Sequence, residues 1–249
     1  MIEVELNFQQ IKHAYQQNTP VLCGIDLTIA SGQFVALVGR SGCGKTTLLR
    51  LAAGLLRADS GSIYLDGGVI REPSEQVAVV FQSPVLLQWR TVLDNVLLPI
   101  SLHRSVKAGD RNKAKELLQL VGLEAHMYSY PNQLSGGQQS RVALVRALLQ
   151  NPKVLLLDEP FAALDALTRE DLQQDLLRFC RESGLTTMFI THDITEAVYV
   201  ADRVVVMHGG RISLDMEVPL AKPRSLEIRY DAAFNQLCLQ ARLAMEAQL

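Results

Sequence analysis

The sequence lacks several features that mark whole classes of proteins. It has no excess of basic charge, since 24 lysines and arginines stand against 26 acidic residues, and this balance argues against binding nucleic acid through a general positive field. Its four cysteines show no C-x-x-C spacing and do not cluster with the five histidines, which argues against a zinc site or a disulfide framework. A reduced, cytoplasmic chain is the simpler interpretation.

Long apolar runs and a signal peptide are also missing. No uninterrupted run approaches the roughly 18 residues of a membrane span, and the first residues have neither a basic start nor an apolar stretch. Aromatic residues make up 6% of the chain against 48% for all hydrophobic residues, as is usual in α/β proteins. The 249 residues are enough for one large domain, or for a core domain with a smaller subdomain. We expect a protein that neither leaves the cytoplasm nor crosses a membrane by itself.

The chain is organised around a glycine-rich stretch at residues 39–47, which has the spacing G-x-x-x-x-G-K-[ST]. An apolar run precedes it and a helical pattern follows it, so the context is strand, loop, helix. Backbone N–H groups of such a loop, together with the helix N-terminus, bind anions of phosphate size. Lys45 would reach the β- and γ-phosphates of a nucleotide, and the Thr46 hydroxyl would bind a bridging Mg²⁺. The nine predicted phosphate-binding residues are Gly39, Arg40, Ser41, Gly42, Cys43, Gly44, Lys45, Thr46 and Thr47.

A second group of candidates ends an apolar strand. Residues 154–157 are Val-Leu-Leu-Leu, and Asp158 and Glu159 follow them. Open parallel sheets bind ligands at the carboxyl ends of their strands. Asp158 would therefore hold Mg²⁺, and Glu159 would polarise a water for in-line attack on the γ-phosphate. The alternative is a strand that simply ends in two surface acids, and the phosphate loop earlier in the chain argues against it.

The pattern of strands and helices predicts an α/β protein with a mostly parallel sheet. Residues 2–8 and 24–29 would form an N-terminal antiparallel layer with Tyr15 between them. Residues 83–152 change to helical patterns and predict an inserted helical subdomain. We expect a single domain at residues 1–224 and a helical tail at residues 225–249. The predicted helices lie at 92–98, 109–121, 135–149 and 168–182, and the apolar face of the tail is Phe234, Leu237, Ala241 and Met245.

A third motif, Leu134-Ser-Gly-Gly-Gln138, lies between the first two. Ser135 is a good helix N-cap, and the glycines leave backbone N–H groups open, so a second anion-binding helix end is expected. The motif resembles the signature of ATP-binding cassette ATPases, and the resemblance extends over nearly the whole chain. It implies a P-loop NTPase core and a head-to-tail pair of cassettes, in which the signature of one copy closes over the ATP of the other. The signature residues are Ser135, Gly136, Gly137 and Gln138.

The resemblance also assigns roles to four further residues. Tyr15 is similar to the aromatic residue that stacks on adenine, and Gln82 to the glutamine that senses the metal and the lytic water. Asp165 is similar to the aspartate at the dimer contact, and His192 to the histidine that contacts the γ-phosphate. The expected catalytic residues are then Glu159, His192 and Gln82, and the expected Mg²⁺ ligands are Thr46, Gln82 and Asp158. Taken alone, each of these four residues also has an ordinary structural interpretation. Their order along the chain, which matches that of the family, supports the functional one.

Residues 82–92 are the candidate partner contact. Their apolar side chains, Leu86, Leu87 and the only tryptophan, Trp89, either form a groove for a partner helix or pack under the helical subdomain. In the resembled family this region receives a cytoplasmic helix of the membrane-spanning subunit. The run from Leu86 to Val92 is similar to importers of the nitrate, sulfonate and taurine type, with Gln88 where proline is usual.

The resemblance implies the ATP-hydrolysing subunit of an importer of a small solute, driven by ATP-dependent dimer closure at the cytoplasmic face of the inner membrane. Its partners would be a second copy, a membrane permease and, indirectly, a substrate-binding protein, with no nucleic acid. One alternative is a soluble cassette protein acting on ribosomes or DNA; tandem cassettes, a coiled-coil insertion and zinc cysteines are missing here. Another is a regulatory module that binds nucleotide without hydrolysis. The presence of both Glu159 and His192 argues against it.

Overall fold

The computed structural model describes residues 4–16, 19–162 and 164–246. Residues 2 and 3 of the first predicted strand therefore lie outside the described residues. The strands are β1 (Val4–Gln16), β2 (Thr19–Ala30), β3 (Phe34–Gly39), β4 (Ser60–Leu65), β5 (Gly68–Val69), β6 (Val77–Val80), β7 (Val154–Asp158), β8 (Thr186–Thr191), β9 (Arg203–His208) and β10 (Arg211–Glu217). The α-helices are α1 (Lys45–Ala52), α2 (Val92–Val96), α3 (Leu98–His103), α4 (Ala108–Leu120), α5 (Gly136–Leu149), α6 (Ala166–Ser183), α7 (Ile194–Val200) and α8 (Ala232–Glu246).

The chain divides into two compact units, and each is described by itself. The first unit contains Met1–Ser74 and Gly184–Leu249, and the second contains Glu75–Ser183. The domain limits predicted from the sequence, at residues 1–224, 83–152 and 225–249, stay predictions. Within the described ranges, no helix combines the length and the apolar character needed to cross a bilayer.

The first unit contains an antiparallel layer and a set of parallel strands. In the antiparallel layer the strand order is β2-β1-β4-β5. In the parallel set, β3 pairs with β8 on one side and with β9 on the other, and β10 runs antiparallel to β9. Every residue of β3 and of β8 is buried, as expected for strands covered on both faces. Tyr15, which we predicted to lie between two strands, is instead part of β1, because that strand continues to Gln16 through several irregularities of register.

The described residues of the second unit form two parallel strands and five α-helices. Strand β6 pairs with β7 in parallel, and Val77 lies opposite Val154. The single helix predicted at residues 92–98 is wrong, because the chain forms α2 and α3 there. Pro99 lies in the first turn of α3, where its missing N–H removes no helical hydrogen bond, so a new helix begins. The last helix, α6, begins at Ala166, two residues before the predicted start.

The C-terminal segment belongs to the packed structure of the first unit. A 3-10 turn at Leu226–Tyr230 precedes α8, so the tail is not the continuous helix that the sequence predicted. Phe234 and Ala241 are buried on the predicted apolar face of α8, and Leu237 and Met245 are half-buried. The buried Arg224 donates to the carbonyl oxygens of Val198 (3.1 Å), Tyr199 (2.8 Å) and Ala201 (2.7 Å), and so satisfies the C-terminal end of α7. Residues 247–249 lie outside the described residues.

Candidate functional site

The loop between β3 and α1 is built so tightly that two of its glycines are required by geometry. A Cβ at Gly39 would lie 2.4 Å from the carbonyl oxygen of Met207 and 2.7 Å from the Cys43 sulfur, so no larger residue fits there. Gly44 has a φ of 104°, in the left-handed region that side chains avoid, and the first turn of α1 follows it directly. The loop can therefore bring its backbone N–H groups close to an anion at the start of the helix.

Lys45 is buried within this loop. Its ammonium donates to the carbonyl oxygens of Gly39 (2.8 Å) and Arg40 (3.1 Å), and its Nζ lies 3.8 Å from the Cys43 sulfur. A buried ammonium is costly unless it is hydrogen-bonded, and these carbonyls satisfy it. The lysine that we expect to contact phosphate is thus paired with backbone carbonyl oxygens of its own loop.

Tyr15 reaches the same loop from β1. Its hydroxyl lies 3.2 Å from the Thr47 hydroxyl in the first turn of α1, and either oxygen can donate. The Tyr15 side chain is 56% exposed, and its ring lies edge-on to His13, with 5.0 Å between the ring centroids. An exposed aromatic ring thus stands beside the phosphate loop within the first unit. Stacking of this ring on a nucleotide base stays a prediction.

His192 occupies a fixed position at the end of β8. The backbone N–H of Asp193 donates to the hydroxyl of the buried Thr191 (3.0 Å), and the Asp193 carboxylate caps α7 by accepting from the N–H groups of Thr195 (2.8 Å) and Glu196 (3.1 Å). His192 itself is exposed. A buried strand on one side and a capped helix on the other therefore restrict the backbone that carries this imidazole.

In the second unit, Gln82 and Glu159 come together. Asp158 ends β7 and is only 7% exposed. Glu159 has a φ of 46°, an uncommon left-handed conformation for a residue with a side chain, and it turns the chain out of the strand direction. The Gln82 amide nitrogen donates to a Glu159 carboxylate oxygen at 3.4 Å. Glu159, whose carboxylate we expect to activate water, is thus held in a strained backbone conformation. Its hydrogen-bond partner is Gln82, the residue that we expect to sense the metal and the water.

The signature stretch forms a capped helix start. The Ser135 hydroxyl accepts from the backbone N–H of Gln138 (3.3 Å), and the Gln138 side-chain oxygen accepts from the backbone N–H of Ser135 (2.9 Å). This reciprocal pair is a capping box, which fixes the first turn of α5. The Ser135 hydroxyl and the first N–H groups of the helix are consequently held in one arrangement.

Gly137 and Asp165 have roles within the chain that the sequence did not reveal. A Cβ at Gly137 would lie 2.9 Å from Thr168 Cγ2 and 3.3 Å from Leu164 Cδ2, so the start of α5 packs closely against the start of α6. The Asp165 carboxylate accepts from the backbone N–H of Thr168 (3.0 Å), and hydrogen bonds from Thr168 lower the pKa of this carboxyl. Asp165 is therefore a helix cap beside the signature helix, and its side chain remains exposed.

Comparison with known proteins agrees with this geometry. The family model described as "ABC transporter" matches residues 22–162, which is more than half of the chain and includes the phosphate loop, the signature and Glu159. The chain belongs to the ABC transporter family. Family membership confirms the predicted ATPase and its nucleotide, ATP.

The relatives of this ABC protein are similar over most of its length. It is 50% identical to the aliphatic sulfonates import ATP-binding protein SsuB of Pseudomonas putida over 206 residues, which are 82% of this chain and 74% of the relative. It is 47% identical to aliphatic sulfonates import ATP-binding protein SsuB 2 of Agrobacterium fabrum, over 88% of this chain and 81% of the relative.

Solved structures of ABC cassettes share the fold. The ATP-binding cassette MJ0796, solved as a dimer in a post-hydrolysis state bound to ADP and Pi, is 31% identical, with a TM-score of 0.78 over 87% of this chain and all of that chain. The protein cbiO1 from Clostridium perfringens, part of the ABC transporter complex cbiONQ, is 28% identical, with a TM-score of 0.81 over 98% of this chain and all of that chain. These likenesses confirm the predicted fold class.

The ABC cassette presents two apolar side chains beyond Gln82. Trp89 is 75% exposed and Val85 is 64% exposed, whereas Leu86 is buried. The two interpretations offered for this segment therefore each apply to part of it. Leu86 packs inside the second unit, Leu87 is half-buried, and Val85 and Trp89, called the exposed patch below, both remain exposed.

A fully buried asparagine organises the segment that carries this patch. Asn95 on α2 is 0% exposed; its oxygen accepts from the Leu87 N–H (2.8 Å), and its nitrogen donates to the carbonyl oxygens of Leu87 (3.1 Å), Arg90 (3.0 Å) and Thr91 (2.9 Å). Sequence reasoning missed Asn95. The available signal was a single amide among the apolar residues of α2, since a buried polar side chain must find partners.

Asn95→Ala is expected to destabilise the second unit by on the order of 3 kcal/mol, because it leaves the buried N–H and carbonyl groups of the segment without their partner. Urea unfolding followed by circular dichroism measures this loss. Asn112→Ala, on the surface of α4, is the matched control and should leave the unfolding midpoint unchanged. A midpoint for Asn95→Ala equal to that of the wild type would show that the segment does not depend on this side chain.

Cys43 gives a chemical probe of the phosphate loop. Its sulfur lies 3.8 Å from Lys45 Nζ, so a maleimide attached to it would fill the space in which the lysine meets phosphate. We expect alkylation with N-ethylmaleimide to weaken binding of a fluorescent ATP analogue roughly tenfold or more, and Mg-ATP added first to protect the protein. Cys43→Ala should bind the analogue and resist the reagent. Equal inhibition of Cys43→Ala would assign the effect to another cysteine.

Proposed function

We propose that this cassette powers the uptake of an aliphatic sulfonate or a closely related small organic anion. The chain is the ATP-hydrolysing subunit of an ABC importer, as predicted from the sequence. The observation that supports the cargo is the 50% identity, over 206 residues, to a protein named for aliphatic sulfonate import. The run from Leu86 to Val92, with Gln88 at the usual proline position, supports the same subfamily.

Each predicted site residue has a role in the proposed hydrolysis. Residues 39–47 hold the phosphates, and Tyr15 stacks on adenine. Glu159 takes the proton of the attacking water, while Gln82, which already donates to Glu159, orients that water and carboxylate. His192 donates to the γ-phosphate from its position between β8 and α7. Most of the rate gain in phosphoryl transfer comes from such positioning and from charge stabilisation.

The residues proposed for Mg²⁺ suit that ion. Thr46 offers a hydroxyl, Asp158 a carboxylate at a strand end, and Gln82 an amide oxygen. Because Gln82 donates to Glu159 through its nitrogen, its oxygen is the atom left for a metal. A small set of oxygen ligands that is completed by water and phosphate is what Mg²⁺ prefers in proteins. When bound, the ion would neutralise charge on the β- and γ-phosphates.

Two surfaces of the chain have no role within a single copy, and they indicate its partners. The capped signature helix is a second phosphate-binding helix end, and one nucleotide does not need two such ends in the same chain. We therefore propose a head-to-tail dimer in which Ser135 acts on the ATP of the other copy.

The exposed patch of Val85 and Trp89 within residues 82–92 is proposed to receive a helix of the membrane permease. The cassette would then be peripheral, at the cytoplasmic face of the inner membrane. A substrate-binding protein would select the cargo.

Growth on a defined sulfur source tests the cargo. A strain that lacks this gene should fail to grow when ethanesulfonate or taurine is the only sulfur source and should grow normally on sulfate. The wild-type gene should restore growth on the sulfonate, and a gene encoding Glu159→Gln should not. Normal growth of the deletion strain on every sulfonate offered would refute the sulfonate cargo and leave the ATPase assignment intact.

A further inference from the structure

A contact of His126 with the signature motif has a single consistent set of hydrogen bonds. The side-chain oxygen of Gln138 accepts from the backbone N–H of Ser135 at 2.9 Å. A backbone N–H can only donate, so the amide oxygen must lie on that side. The amide nitrogen of Gln138 consequently lies on the other side, 3.2 Å from Nε2 of His126.

This arrangement fixes the state of the imidazole. The Gln138 amide nitrogen can only donate, so His126 Nε2 must accept. An imidazole nitrogen accepts only when it carries no proton. His126 is therefore neutral in this arrangement, with its proton on Nδ1.

We propose that His126 is a positioning residue for the signature motif: its neutral Nδ1–H form holds Gln138 in the capping box, and its protonation releases that box. The functional part of the proposal rests on the proposed function, because it is there that the signature acts on the nucleotide of the second copy. His126 itself touches neither ATP nor the reacting atoms.

Protonation of His126 removes the acceptor that holds the Gln138 amide in its capping orientation. A proton on Nε2 would face the two N–H groups of the Gln138 amide, so donor would meet donor. Rotation of the amide by half a turn would let its oxygen accept from His126, but its nitrogen would then face the Ser135 N–H. The first outcome removes the bond that holds the Gln138 amide against His126, and the second costs the first turn of α5 one of its two reciprocal bonds.

Charged groups on the elements next to His126 are found in its own turn, on α4 and on α5. Glu124 lies in the same 3-10 turn, Glu124–His126. Helix α4 contributes Lys115 and Glu116, which line one surface trough together with Glu124. On α5, Arg141 donates to the carbonyl oxygen of Val121 (3.0 Å). The surroundings thus contain charges of both signs, and the direct neighbour of Nε2 is the uncharged amide of Gln138.

Nitrogen-15 NMR of the full-length chain, with labelled histidine and without nucleotide, tests the proposed state directly. At about pH 8, the hydrogen bonds predict that His126 carries its proton on Nδ1 and has an unprotonated Nε2. The His126→Gln variant assigns the resonance by its disappearance. A proton on Nε2 at this pH would overturn the proposal. This measurement requires no ATPase activity, so its result is independent of the cargo and of the dimer.

The dependence of turnover on pH tests the functional part. On acidification from about pH 8 to about pH 5.5, wild-type kcat should fall roughly fivefold more than that of His126→Gln, since loss of a capping bond is worth about that factor. Glutamine supplies an oxygen acceptor that does not titrate. His126→Leu, which has no acceptor, should be slow over the whole range.

Two further results decide between positioning and a general structural effect. Binding of ATP to the monomer should be the same in the wild type and in His126→Gln, because residues 39–47 are unchanged. His103→Gln, at an exposed histidine that pairs with Glu75 (3.2 Å), should keep the wild-type pH profile. Identical pH profiles for the wild type and His126→Gln would overturn the role of His126, whereas a flat growth response to sulfonates would affect the cargo alone.

Discussion

Glu159→Gln is expected to bind ATP and to lose turnover by about a thousandfold, since general-base catalysis contributes about that much. Glutamine has nearly the same shape as glutamate and can still accept from Gln82, which lies 3.4 Å from the carboxylate. It cannot take a proton from water. The binding groups of residues 39–47 are untouched, so the loss should appear in kcat and not in the affinity for ATP.

Two measurements together test this expectation. Steady-state phosphate release gives kcat, and size-exclusion chromatography with Mg-ATP reports the oligomeric state. Because bound ATP would persist in the variant, we expect an ATP-dependent dimer to accumulate, and addition of ADP should not produce it. Glu116→Gln, on the surface of α4, is the matched control and should hydrolyse ATP at the wild-type rate. A wild-type rate for Glu159→Gln would remove Glu159 from the role of base.

The elements that could be predicted from sequence are those whose partners are local. The β3–loop–α1 unit follows from an apolar run, a glycine spacing and a helical pattern, and all three are contiguous. The cap of α5 follows from Ser135 and Gln138, three residues apart. Pro99 also carried enough information to predict the break between α2 and α3, because proline favours the first turn of a helix.

The remaining features depend on contacts between distant parts of the chain. Strand β1 carries polar side chains and register irregularities, so its alternation did not reveal that it continues past Tyr15. The roles of Asn95 and His126 depend on which backbone groups lie beside them after folding, and no local pattern records that. Asp165 was expected to act at a dimer contact from the resemblance, and its role as the cap of α6 appeared only when its partner Thr168 was seen.

Ser135→Arg is expected to abolish ATP hydrolysis while leaving ATP binding to the monomer intact. The arginine side chain cannot accept from the Gln138 N–H, so the capping box is lost, and its bulk and positive charge would occupy the place where the helix end meets phosphate. Ser135→Ala, which loses the cap without adding bulk, should retain partial activity. Loss of ATP binding in the monomeric Ser135→Arg chain would show that the signature acts on its own nucleotide.

A mixing experiment tests whether the signature acts across the dimer. Lys45→Ala should be inactive because its phosphate loop is impaired, and Ser135→Arg because its signature is impaired. In a head-to-tail dimer of one chain of each kind, one of the two sites combines an intact loop from the Ser135→Arg chain with an intact signature from the Lys45→Ala chain. Half of the dimers in an equal mixture are of this kind, so activity should return to at most about a quarter of the wild-type rate. A site confined to one chain would gain nothing from mixing, because neither chain then carries both intact motifs.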